Sequence, residues 1–231
     1  MCGRYVSTAT AEQLANTFNA GDFTRGPAVE PDYNVAPTKN VHIVRMTHRD
    51  DVEREVVDTA RWGLIPSWAK DIKIGSRLFN ARAESVRTTS AFRNAFARRR
   101  ALIPADGWYE WTPKQFGPGK QAFYITPESG QLVFAGLWEV FGPDKLITCT
   151  ILTTPAQGEL ARIHDRQPLV LSPGQWEAWL KDDDAAVQLL EHPDITAVRL
   201  RPVGSAVGNV ANNGPSLISA VEEQTGPDQL F

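Results

Sequence analysis

The sequence predicts an α+β fold: a single domain on a mixed β-sheet curled toward a barrel, with a few short helices. Three observations predict it. Many short runs rich in β-branched and aromatic residues are bounded by turn residues. Helical periodicity occurs only in brief, scattered stretches. Strand and helix do not alternate regularly, which argues against a doubly wound parallel sheet. The 231 residues suit one domain with a real core.

Thr10 and Gln13 read as a capping box opening a short helix, with Leu14 and Phe18 on its inner face. A Gly/Pro-rich loop covers 21–38. Strands are expected at 41–46 and 54–62. A long irregular connection follows over 63–85, and loops of that length are often functional. A helix near 90–99 places Phe92 and Phe96 at i, i+4. Strand signals recur at 100–104, 107–111, 122–126, 132–140 and 146–153. The stretch GELARIHD reads as a short helix leading into the strand PLVL. Ser172 caps a further helix, with Pro173 at its first position and Trp176 and Trp179 inward. A last strand at 197–203 precedes the Gly/Asn-rich GNVANNG.

The chain is 42% hydrophobic, with seven Trp and ten Phe, which excludes disordered and fibrous classes. No apolar run approaches the roughly 18 residues that span a bilayer. The N-terminus lacks the basic and apolar regions of a signal peptide. A soluble, cytoplasmic, monomeric protein with no membrane contact is expected. The two cysteines, Cys2 and Cys149, are then free thiols. His42, His48, His164 and His192 share no ligand spacing with them, and no phosphate-cradling glycine motif occurs, so neither a metal nor a cofactor is expected.

The net charge of −3 hides an asymmetry. Residues 61–100 carry ten Lys/Arg and two Asp/Glu, a balance of +8, while the remainder holds fourteen basic and twenty-five acidic residues. Such a segment suggests a surface that meets phosphates. The alternative is that Arg98, Arg99 and Arg100 form a solvated helix end.

The chain opens MCGRY. Removal of Met1 gives Cys2 a thiol and a free α-amine on adjacent carbons. The amine titrates at about 7.7–8.0 and a thiol at about 8.5, so a nearby base activates both. Amine and thiol together close a thiazolidine ring on an aldehyde, whereas the thiol alone attacks an amide carbonyl. The plain alternative is a small residue at a frayed terminus. Gly3 lets the backbone turn beside a ligand.

Glu110 lies in GWYEW. Alternation puts Trp108 and Glu110 on one face, Tyr109 and Trp111 on the other. A carboxylate among aromatic rings has a raised pKa and suits acid–base work; otherwise it faces solvent beside indoles that cover its stem. His164 shares an apolar face with Leu160, and a helix C-terminus favours its protonated form as a proton donor; otherwise it is a buried histidine held by a carbonyl. Asn34 and Asn80, in or beside loops, donate to an oxyanion or orient a base, or cap turns. Trp68 stacks on a base or wedges into a duplex, or lies as a lid on the core.

The motifs MCGR, YNVAP, RWGLIPSW, FNARAES, IPADGWYEW, IHDRQPLVL and PVGSAVGNV, in this order, resemble the SRAP family, the SOS-response-associated peptidases, over nearly the whole chain to about Leu217. The resemblance implies an SRAP fold and a protein that binds abasic sites in single-stranded DNA and at single-strand/duplex junctions. There the N-terminal cysteine forms a thiazolidine with the sugar aldehyde and shields the lesion. It also implies autopeptidase-type removal of Met1. Carried over, the catalytic residues are Cys2, Asn80, Glu110 and His164. DNA contacts fall to Arg4, Asn34, Trp68, Arg82, Trp111, Thr153 and Arg166. Ala69 and Ser90 stand where some relatives have a second aromatic and an arginine. Class II glutamine amidotransferases also open MCG but continue with an apolar residue and glycine, where this chain has Arg4 and Tyr5. An amide hydrolase of that kind and a non-catalytic DNA-binding scaffold are the alternatives.

The SRAP domain is expected over 1–221, with residues 222–231 as a flexible tail. Its terminal Leu230 and Phe231 either pack back on the domain or, like peptides that dock on bacterial sliding clamps, make a weak clamp contact.

Overall fold

The computed structural model describes residues 2–25, 28–49, 52–112, 120–194 and 197–221. The expected tail, with Leu230 and Phe231, lies outside them.

Two sheets make the fold. In the larger, the strands Leu146–Pro155, Leu132–Phe141, Arg100–Ala105, Asn40–Arg49 and Val52–Trp62 follow one another as antiparallel neighbours. The last then pairs in parallel with the first, through Thr148 opposite Arg61 and Cys149 opposite Trp62. That pairing closes a five-stranded ring, so the curl toward a barrel is complete. Alternate residues fill its interior: Ile43, Trp62, Ile103, Phe134, Cys149 and Ile151 form one buried cluster. The opposite faces, including Val44, Val57, Leu102 and Leu152, pack outward against Leu14, Phe18, Phe92 and Trp179.

The smaller, five-stranded sheet orders Val198–Val203, Ala122–Pro127, Gly107–Trp111, Tyr5–Ser7 and Asp32–Val35. The chain passes from one sheet to the other at Asp106, between Arg100–Ala105 and Gly107–Trp111. Gly107 is required there, because a Cβ would sit 2.5 Å from the Tyr124 ring.

The helices follow their local signals. Thr10 Oγ1 accepts from Gln13 N at 3.2 Å and Gln13 Oε1 from Thr10 N at 2.9 Å, the reciprocal box that starts Ala11–Phe18. Trp179 is fully buried, while Trp176 packs on Phe18 with ring centroids 4.7 Å apart. A helix at Asp183–Glu191 is not among the expected elements; Asp182 caps it by accepting from Ala185 N.

Three local expectations are corrected. The helix over 158–165 is a short 3-10 turn, Gly158–Arg162. The strand expected at 168–171 begins earlier, as Arg166–Pro168, and 169–171 add only a bridge between Val170 and Phe134. The 63–85 connection contains a 3-10 turn, Ile72–Arg77, and the strand Asn80–Arg82. This connection folds back at Gly63 and Gly75. A Cβ on Gly63 would lie 2.4 Å from Gly75 O, and only glycine suits its φ of 124°.

The +8 segment is not one exposed stripe. Arg100 is buried, its guanidinium donating to Trp179 O, to Phe96 O at 3.1 Å and to Asp183 at 2.7 Å. Arg99 pairs with Glu139 at 3.3 Å and lies over Trp138. These two arginines dock the 93–98 helix onto the barrel, and only Arg98 of the three is left as a solvated helix end. Among the described residues, no helix is long and apolar enough to cross a membrane.

Candidate functional site

The parallel pairing of Asn80–Arg82 with Leu146–Pro155 sets Asn80 beside Ile151 and Arg82 beside Thr153. From that strand Asn80 Nδ2 donates to the Cys2 carbonyl at 2.8 Å. Its Oδ1 is buried and has no hydrogen-bond partner. Cys2 is fully buried, not frayed. Burial pushes its thiol well above the ordinary range, and the charge of Glu110 adds to the rise.

Glu110 points inward with Trp108, as alternation requires, and is 4% exposed. The solvent-facing reading is overturned. Burial raises its pKa to about 7, and Asp165 pushes in the same direction. Cys2, Glu110 and the His164–Asp165 turn therefore act on one another electrostatically, although 108 residues of chain separate Cys2 from Glu110.

His164 lies beyond the 3-10 turn. Its Nδ1 accepts from Arg166 N at 2.9 Å, and Asp165 Oδ1 stands 2.7 Å from the same nitrogen. The two contacts make opposite demands on Nδ1: the main-chain N–H needs a lone pair there, and the carboxylate oxygen needs a proton. Burial is the main influence on its pKa and lowers it. The expected stabilisation of protonated imidazole by a helix end fails, because a five-residue 3-10 turn supplies little dipole and desolvation outweighs it.

Arg166 donates to Glu84 with both terminal nitrogens, at 2.9 Å for Nη2, and Nη2 also reaches Thr153 O at 2.6 Å. Thr153 is buried behind it, and Arg82 is exposed. Arg166 opens the strand Arg166–Pro168. Sequence reasoning missed Glu84, whose visible signal was its place two residues after Arg82 in FNARAES. It also missed the Tyr5 hydroxyl, buried and without a hydrogen-bond partner.

The other expected contacts form two further groups. Arg4 Nη1 donates to Asn34 Oδ1 at 2.7 Å and to Val207 O at 2.9 Å. Asn34 is fully buried and donates to the carbonyls of Val207, Asn209 and Asn212. The Gly/Asn-rich segment is thus the receptor for Asn34 and Arg4. Trp111 is half-buried beside Tyr109. Trp68 is 55% exposed, its indole N–H donating to Ser90 O at 3.4 Å, so it is not a lid on the core. The described residues contain no cluster of three or more His, Cys, Asp or Glu suited to a metal.

The description of the SRAP family (SOS response associated peptidase) matches residues 1–210. The chain is 36% identical over 229 residues to abasic site processing protein YoqW of Bacillus subtilis, covering 95% of this chain and 100% of that one. It is 34% identical over 233 residues to YedK of Escherichia coli, covering 96% and 100%. It is 27% identical over 268 residues to HMCES of Gallus gallus, covering 96% and 78%. Its fold is similar to a crystal structure from Bacteroides thetaiotaomicron, with TM-score 0.79 at 20% identity over 95% of this chain and 100% of that one. The motifs, the fold and these similarities agree: this chain belongs to the SRAP family.

Proposed function

We propose that this chain processes abasic sites by cross-linking to them in single-stranded DNA through the thiol and amine of Cys2. One observation carries the proposal. Asn80, already bonded to the Cys2 carbonyl, keeps a buried acceptor open beside that residue, and an acceptor so placed suits the Cys2 amine after Met1 is removed. The names of the relatives, abasic site processing proteins, support the substrate.

The chemistry balances without a cofactor. The ring-opened sugar presents an aldehyde. The Cys2 amine adds to it, and the hydroxyl of the adduct leaves as water once protonated, giving an iminium. The Cys2 sulfur attacks the iminium carbon and the thiol proton is released, closing the thiazolidine. Glu110, near pKa 7, both takes and gives a proton at neutral pH. His164 serves as the second proton-transfer group. Burial of Cys2 keeps the thiol protonated until a base acts, which protects it from other electrophiles.

Arg82 and Arg166 serve the phosphates and exposed Trp68 serves a flanking base or a junction, while Arg4 and Asn34 hold the loop behind Cys2. Autopeptidase removal of Met1, an intracellular location and a weak clamp contact through Leu230 and Phe231 belong to the same reading.

The test is incubation with abasic single-stranded DNA. A band that resists heat and denaturant is expected, absent in Cys2→Ala and in a chain extended before Cys2, whose amine has become an amide. A stable adduct in the extended chain overturns the thiazolidine. Glutamine hydrolysis with no adduct favours the amide-hydrolase alternative.

A further inference from the structure

An abasic residue is a deoxypentose with a reactive aldehyde at one end and a phosphate at the other. The residues beside Cys2 follow the same measure. Alternation puts Asn80 and Arg82 on one side of the strand Asn80–Arg82, with Ala81 buried on the other. Two residues of strand set them about 7 Å apart, which is about the reach of an open five-carbon sugar from its aldehyde to a terminal phosphate.

Cys2 is the aldehyde end. Asn80 Nδ2 donates to its carbonyl, and Asn80 Oδ1 is buried without a hydrogen-bond partner. The sulfur is held as well: burial raises its pKa, and a hydrogen bond from the Arg4 main-chain N–H opposes the rise. The phosphate end is a pair of guanidinium groups. Arg82 is exposed and paired in register with Thr153, and Arg166 Nη2 donates to the Thr153 carbonyl at 2.6 Å. Both act on Glu84, whose pKa is held down first by its bond from Arg166, with the charge of Arg82 adding to the effect. Two cations sharing one carboxylate leave an excess of positive charge at this end.

Ring closure itself needs no more of a DNA strand than this. The Cys2 amine adds to the aldehyde carbon, and the former carbonyl oxygen leaves as water. The sulfur then closes on the iminium carbon and its proton passes to Glu110. One C–N and one C–S bond replace the C=O bond, and nothing is oxidised or reduced.

We propose that the Cys2 site also takes free aldose phosphates, capturing the open-chain aldehyde as a thiazolidine while Arg82 and Arg166 hold the phosphate. The inference rests on the reading of Cys2 as an aminothiol and extends it to a small-molecule substrate class. A free aldose phosphate occupies the same atoms as the lesion, so its capture blocks abasic DNA.

The probe is 2-deoxyribose 5-phosphate, with 2-deoxyribose as the sugar that lacks the phosphate. The full chain, freed of Met1, is incubated with each, weighed by intact mass spectrometry and then offered abasic single-stranded DNA. The expected product is heavier by one sugar phosphate less one water, does not form in Cys2→Ala, and no longer cross-links DNA. The two sugars open to the aldehyde to different extents, so the ratio of their capture rates is compared between proteins. Arg82→Gln should lower that ratio about tenfold, the worth of one charge-assisted hydrogen bond. Glu84→Gln, which frees Arg166, should raise it about two- to fivefold. A ratio that neither variant changes overturns recognition of the phosphate by these arginines. A DNA adduct with no sugar phosphate adduct at millimolar probe overturns this inference and leaves the cross-linking reading standing. No adduct with either overturns the aminothiol reading itself.

Discussion

The main-chain N–H of Arg166 donates to Nδ1 of His164 at 2.9 Å, and the side chain of the same arginine is locked onto Glu84 and Thr153. One residue thereby holds the histidine with its backbone and ties the Asn80–Arg82 connection to the strand Leu146–Pro155 with its guanidinium. His164→Asn keeps an acceptor for Arg166 N–H but lacks Nε2. It should retain DNA affinity and melting temperature while cross-linking slows about 10²-fold, the low end for a lost proton donor. His164→Ala should also lose about 1–2 kcal/mol of stability, because that N–H is left unpaired. An unchanged single-turnover rate in His164→Asn would remove His164 from the chemistry.

Glu110 links stability to pH. Its folded pKa, about 7, lies above the ordinary 4.5, so the folded chain binds this proton more tightly than the unfolded chain does. The stability it contributes is complete below about pH 4.5 and is lost as pH rises through about 7. The full loss is on the order of 3 kcal/mol. Glu110→Gln should flatten that dependence in chemical denaturation, while slowing cross-linking by about 10²–10⁴-fold. Identical pH–stability curves for the two proteins would contradict the buried carboxylate.

If Arg166 meets DNA as proposed, Glu84 is its competitor. Their pair is half exposed on the glutamate side, so its strength is modest. Glu84→Gln should strengthen binding of abasic single strands by about two- to fivefold and steepen its salt dependence. Arg82→Ala should weaken binding and reduce the slope by about 0.7, the share of one phosphate on a single strand. Weaker binding by Glu84→Gln would mean that Glu84 positions Arg166 for DNA and does not restrain it.

Asn34→Ala should be a stability variant. It leaves the carbonyls of Asn209 and Asn212 without this donor and removes one acceptor from Arg4, which keeps its bond to Val207 O. The expected loss is about 2–4 kcal/mol by thermal denaturation. Loss of DNA binding with an unchanged melting temperature would instead make Asn34 a direct contact.

The sequence by itself determined the strands of the barrel, the capped helix at residue 11, the inward face shared by Trp108 and Glu110, and the family. Each of those signals lies within a few residues of chain, where side-chain alternation, turn chemistry and capping act. Tertiary structure alone decided what those residues meet. Pairing Asn80 with Ile151 and Thr148 with Arg61 joins segments 71 and 87 residues apart, and no local pattern encodes a parallel register. That closure buries Cys2 and Glu110 together, lifts the carboxylate to about 7 and turns Arg100 from a surface charge into an internal tether. It decided His164 as well, since desolvation and the Arg166 N–H exist only in the folded chain. The reason is physical: alternation and capping are short-range, whereas pKa values and orphaned polar atoms depend on what long-range contacts exclude from water.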